Sequence, residues 1–120
     1  MDLKDILSKD KDTVLFFMNS TCSLCRSQEK LFAENWDKVK EKINLYLLSV
    51  DFDVARVKSY KETSNVPFPV LHDADASVLQ SIGYSATPGL VVLDGKGVIK
   101  RKVSGYQQAE LTDYIKKLTR

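Results

Sequence analysis

Cys22 and Cys25 are the only cysteines of a 120-residue chain, and they stand three positions apart in Thr21-Cys22-Ser23-Leu24-Cys25-Arg26. Three chemistries use such a pair. Structural zinc asks for about four ligands. His72 is the single imidazole beyond the two thiols, so carboxylates or a second copy of the chain would have to complete such a site. Covalent haem attachment asks for histidine directly after the second cysteine, where this chain has Arg26. The third chemistry is a dithiol that cycles with its own disulfide. As a structural staple the pair is poor, because so short a loop removes only about 2 kcal/mol of unfolded-chain entropy. Reversible thiol-disulfide exchange is therefore the leading reading. The alternative from a different class is a redox-sensing or redox-inactive interaction module that holds two ordinary thiols.

Exchange needs one sulfur that is reachable and favoured as the anion. The apolar run Thr13-Val14-Leu15-Phe16-Phe17-Met18 has the length of a strand covered on both faces, and it ends in the polar turn Asn19-Ser20-Thr21. After the cysteines, Leu24, Leu31, Phe32, Trp36, Val39 and Ile43 recur at spacings that predict one face of a long helix. Free N–H groups at the start of a helix favour a thiolate. Cys22 falls at the cap and is expected exposed, while Cys25 falls on the packing face and is expected sheltered. In that arrangement Cys22 attacks a substrate disulfide and Cys25 resolves the adduct. Ser23 is a candidate donor to the thiolate, and Leu24 offers apolar contact without charge. Arg26 either turns back to favour the anion or points to solvent.

The remaining pattern supports an α/β architecture. Asn44–Val50 reads as a second buried strand. Asp51–Lys61 reads as a helix capped by Asp53, with Val54 and Val57 inward. A right-handed crossover makes the first two strands parallel. Pro67 and Pro69 keep residues 62–73 irregular, with a brief extended piece at Val70 and Leu71. Asp75–Gly83 predicts a short capped helix with Val78, Leu79 and Ile82 inward. Leu90–Leu93, the turn Asp94-Gly95-Lys96-Gly97 and Val98–Val103 predict a hairpin with an exposed edge, followed by a helix packed through Leu111, Tyr114, Ile115 and Leu118. Leu3, Ile6 and Leu7 predict a short opening helix.

Composition narrows the partners. With 43% apolar and 28% charged residues the chain is an ordered one, and residues 1–120 are expected to form a single domain. The formal net charge of +2 gives no reason to expect nucleic acid or an anionic membrane. The opening residues carry no leader-length apolar run, and no segment has transmembrane length. That suits a cytoplasmic setting, although a chain cut from behind a leader or anchor reads the same.

Taken together, Cys22-Ser23-Leu24-Cys25 after a strand, Phe68-Pro69-Val70-Leu71-His72-Asp73, Ala86-Thr87-Pro88 before a strand, and Asp94-Gly95-Lys96-Gly97 followed by Val98 and Gly105 resemble the thioredoxin fold. The subgroup they resemble is the TlpA/ResA-like thiol-disulfide oxidoreductases, over nearly the whole chain. The resemblance implies a central mixed sheet of about four strands flanked by helices. It also implies an insertion over residues 65–84, ahead of a cis-proline at Pro88, with Thr87 offering backbone groups to an extended substrate. A plain trans turn at Pro88 is the alternative. The resemblance further implies a monomer that exchanges electrons with protein disulfides and with a separate redox partner, more as a reductant than as an oxidant. It needs no cofactor or metal beyond the reversible Cys22–Cys25 disulfide.

Departures from the family pattern are specific. Thr21 replaces the usual aromatic residue before the motif, Gln28 replaces an acid three places after Cys25, and Phe16 occupies the position of thioredoxin's buried aspartate. No carboxylate is thereby assigned to take the Cys25 proton, and Glu29 is expected to face elsewhere on the helix. The same fold carries peroxide reductases, whose threonine three residues before the reactive cysteine is Asn19 here; a thiol peroxidase is the lesser alternative. Val66, Phe68 and Tyr84 either border a peptide surface near Pro88 or pack in the core, with Tyr84 able to bury its ring and expose its hydroxyl. His72 is expected to be a surface or packing residue.

Overall fold

Six successive buried residues, Thr13 to Met18, require a strand with partners on both edges and cover on both faces. The computed structural model, which describes residues 5–119, provides both. Strand β1 (Asp12–Met18) lies in the middle of a five-stranded mixed sheet, and its alternate side chains enter two separate cores. Val14, Phe16 and Met18 meet one layer of helices, and Leu15 and Phe17 meet the other side.

The further elements follow in order as α1 (Ser23–Glu34), α2 (Trp36–Val39), β2 (Ile43–Ser49), α3 (Val54–Thr63), β3 (Val70–His72), α4 (Ser77–Ile82), β4 (Gly89–Leu93), β5 (Ile99–Ser104) and α5 (Gln108–Leu118). A 3₁₀ turn at Ala74–Ala76 leads into α4. The strand order is β3-β2-β1-β4-β5, with β1, β2 and β3 parallel and β4 and β5 antiparallel to their neighbours. The brief piece at Val70 and Leu71 is thus a full member of the sheet, which makes five strands where about four were expected. Cys25 and Phe32 of α1, Val39 of α2, Tyr60 of α3 and Leu111, Tyr114 and Ile115 of α5 fill the first core. Leu79 of α4, with Ile6, Leu7 and Tyr84 packed around it, covers the opposite face. The opening helix expected around Leu3 begins outside the described residues.

Two expectations from periodicity are corrected. The helix after Cys25 does not run to Ile43. It ends at Glu34, where Asn35 Nδ2 donates to Leu31 O at 2.8 Å and the Asn35 N–H bonds Phe32 O, and Ile43 opens β2 opposite Asp12. Trp36 and Val39 keep the helical spacing because a separate four-residue turn carries them, so the spacing survives across the break. Val54 and Leu24 are not inward, being 66% and 52% exposed, because each sits in the first turn of a helix beyond the edge of the sheet. The short helix expected over Asp75–Gly83 is α4, closed by Gly83 at positive φ; at its start the Asp73 carboxylate accepts from Val78 N and Leu79 N, each at 2.9 Å, while Asp75 and Ala76 occupy positive-φ positions ahead of the helix. Asp53 does cap α3, accepting from Ala55 N at 2.9 Å.

Candidate active site

Parallel pairing brings the carboxyl ends of β1, β2 and β3 to one edge of the sheet, the edge at which α/β folds place their chemistry. Asn19–Cys22 leave β1 there, Asp51 follows β2, and His72 ends β3. Because β4 runs antiparallel to β1, with Gly89 opposite Phe17, the residues just before β4 reach the same edge. Thr87 and Pro88 are those residues, and the peptide bond between them is cis.

Cys22 is the N-cap of α1. Its sulfur accepts the Cys25 N–H at 3.2 Å, and no acidic residue occupies the first turn of the helix. A backbone N–H at the start of the helix is thus aimed at the outer sulfur. That bond comes from the Cys25 backbone, and Ser23 is an exposed residue of the first turn. Cys22 is half-buried and Cys25 fully buried, both as free thiols. Burial pushes the Cys25 thiol up to about 12, with the hydrogen bond to Cys22 adding to the rise; bonds from the Asn19 backbone and the Thr87 side chain act against it. Thr87 thus stands beside the inner sulfur.

The turn before Cys22 is held by a buried carboxylate. Asp51 Oδ2 accepts from Ser20 N at 3.0 Å and Asp51 Oδ1 from Ser20 Oγ at 2.8 Å, while Ser49 Oγ donates to Asp51 Oδ2 at 2.6 Å. His72 Nε2 lies 2.9 Å from Asp51 O. His72 is therefore a packing residue that secures the neighbouring loop. Arg26 turns back, but its Nη2 donates to Ser20 O at 2.7 Å, so the hydrogen bond it makes closes the cysteine loop. Asp51 went unassigned in the sequence, although Ser49-x-Asp51 at the end of an apolar strand, two polar groups on one strand face, is a signal that could have marked it.

Below the sulfurs, Gln28 takes the position of the missing acid and is fully buried with neither amide atom hydrogen-bonded among the described residues. Glu29 turns to α3, where the Tyr60 hydroxyl donates to its carboxylate. Burial raises Glu29 above the usual carboxylate range, opposed by the Tyr60 bond and the charge of Arg26. Burial, then Glu29, raise Tyr60, and Cys25 contributes to that rise. Phe68 packs edge-on against Trp36 with ring centroids 5.3 Å apart, so it and half-buried Val66 belong to the core. The Tyr84 hydroxyl donates to Leu90 O at 2.8 Å, and the ring lies so close to Gly89 that a Cβ there would sit 2.9 Å from it.

Among the described residues no group of three or more His, Cys, Asp and Glu could hold a metal ion, and no helix is long and apolar enough to cross a membrane. The AhpC/TSA family model matches residues 1–102. The chain is 28% identical over 121 residues to the thiol-disulfide oxidoreductase ResA of Bacillus thuringiensis subsp. konkukian, an alignment covering 99% of this chain and 69% of that protein. Its fold is similar to that of StoA from Bacillus subtilis, at TM-score 0.75 and 19% identity over 91% of this chain and 84% of that one. A secreted Mycobacterium tuberculosis disulfide oxidoreductase aligns at TM-score 0.74 and 19% identity, over 98% of this chain and 87% of that one. The chain has a thioredoxin-like fold, is similar to ResA thiol-disulfide oxidoreductases, and belongs to the AhpC/TSA family.

Proposed function

We propose that this protein reduces protein disulfides through Cys22 and Cys25, acting as one thioredoxin-like domain over residues 1–120 and as a monomer. The observation that carries the reading is the unequal pair: a reachable Cys22 sulfur under the Cys25 N–H at a helix start, above a buried Cys25 whose thiol is pushed up to about 12. The Cys22 thiolate attacks one sulfur of the substrate disulfide, forming a mixed disulfide and releasing the other sulfur as a thiolate that takes a proton. Cys25 then gives up its proton and attacks Cys22, forming the Cys22–Cys25 disulfide and releasing the second substrate thiol. Two electrons pass to the substrate, and a separate dithiol partner restores the pair.

In this reading Leu24, Thr87 and Pro88 border the substrate chain and Ser23 shapes the rim of the loop. The ResA relative, named a thiol-disulfide oxidoreductase, supports the reaction class. A paired sulfur within reach favours exchange over peroxide reduction.

The test uses the prereduced protein and a model protein disulfide. Wild type is expected to reduce it, Cys22→Ser to lose all exchange, and Cys25→Ser to accumulate a mixed disulfide through Cys22. Equal trapping by both single variants would contradict the assigned roles, and faster turnover of hydrogen peroxide than of the protein disulfide would favour the peroxidase. A measured reduction potential sets the direction, where about 30 mV corresponds to roughly tenfold in the equilibrium.

A further inference from the structure

Beside the cysteine turn, between α1 and α3, lies an open concavity of about 290 Å³. Arg26 and Arg56 line it together with Ser20, Thr21, Ser59 and Thr63. Ser20 and Thr21 are the two residues before Cys22, so the hollow begins where the reactive sulfur's loop begins. Arg56 makes no ion pair among the described residues. Arg26 uses one N–H on Ser20 O, and a guanidinium has five. The acids in the neighbourhood have hydrogen bonds of their own: Asp51 bonds inward to Ser20 and Ser49, Asp53 caps α3 through Ala55 N, and Glu29 takes the Tyr60 hydroxyl, though it also faces the charge of Arg26. Two exposed cations with spare donors therefore stand beside the turn that leads into Cys22. A planar guanidinium fork suits a carboxylate.

We propose that the Arg26–Arg56 hollow receives a carboxylate side chain flanking the reacting cysteine of a protein substrate, which makes acidic disulfide-bearing segments the preferred substrate class. The inference rests on the exchange reaction above. Charge placed this way speeds encounter and holds register more than it adds final affinity, so its effect falls on kcat/KM and weakens with salt.

Three disulfide-bearing peptides test it, identical except for glutamate, glutamine or lysine on both sides of the reacting cysteine. At low salt the prereduced protein is expected to reduce the glutamate peptide roughly threefold to tenfold faster than the glutamine one, and the lysine peptide slowest. High salt should compress that order. Arg56→Glu should invert it, and Arg26→Gln should narrow it, with unfolding midpoints recorded to confirm that both variants are folded. Equal rates for the three peptides, or an acidic preference untouched by either substitution, would overturn the proposal. A small disulfide carrying free carboxylates but no peptide flank serves as the other source of the same chemistry. If it alone shows the arginine dependence, the assignment to a protein segment is wrong. Absence of exchange with every peptide would instead sink the exchange reaction itself, so the two failures are distinct.

Discussion

The Cys25 thiol is raised because its anion would be buried, and that has a consequence for the reduced protein's stability. Its folded value of about 12 lies above the ordinary 9.0, so the buried protonated form contributes stability that is complete below the ordinary value and lost as pH rises toward the folded one. Tyr60 and Tyr114, also raised by burial, act in the same direction. The Cys25 share is therefore the difference between wild type and Cys25→Ser: denaturant unfolding of reduced protein between about pH 8 and about pH 11 should fall more steeply for wild type. Gln28 gives a second prediction. Its amide is buried without a hydrogen-bond partner among the described residues, so Gln28→Leu, which removes the polar atoms and keeps most of the volume, should raise stability by about 1 kcal/mol in the same assay. At this scale the two sulfurs were legible because their spacing is local. The bonds of Asp51 to Ser20 and of Glu29 to Tyr60 were not, since each spans 31 residues and only the fold brings the partners together.

At the scale of elements, α4 is the piece whose start depends on one side chain. Asp73 is almost fully buried, and its two oxygens take two backbone N–H groups of a six-residue helix, too short to hold itself together. Asp73→Ala should cost about 1 to 2 kcal/mol, read as a lower unfolding midpoint, with Asp73→Asn losing less. Apolar periodicity found every major helix and strand, because burying one face is what stabilises them. It overran at Asn35, because a side chain that bonds back to Leu31 O ends the helix without altering the spacing of the apolar residues. It named no residue for the start of α4, since Asp73 and Asp75 are equally good caps in sequence and only the positive φ of Asp75 and Ala76 separates them.

Across the whole molecule, the central strand joins both cores. Phe16 is fully buried in the first of them, and Phe16→Ala should cost about 3 to 5 kcal/mol, a large share of the roughly 5 to 15 kcal/mol that holds a domain folded. Chemical denaturation of the purified variant checks this, and a loss under about 1 kcal/mol would mean that the core closes around the gap. The mixed sheet and the exposed hairpin edge were legible from the order of elements and the turn residues. The full sheet membership of Val70–His72 was not, because three residues between prolines carry too little pattern to announce a strand. That outer edge of the hairpin, β5, carries Lys100, Arg101 and Lys102 in succession, with Lys100 paired to Asp12, Arg101 over the Tyr114 ring and Lys102 over the Tyr84 ring. Consecutive cations on a strand with one open edge discourage a neighbour from adding its own ladder. Copies of this chain crowded together should therefore add poorly to one another along that flank.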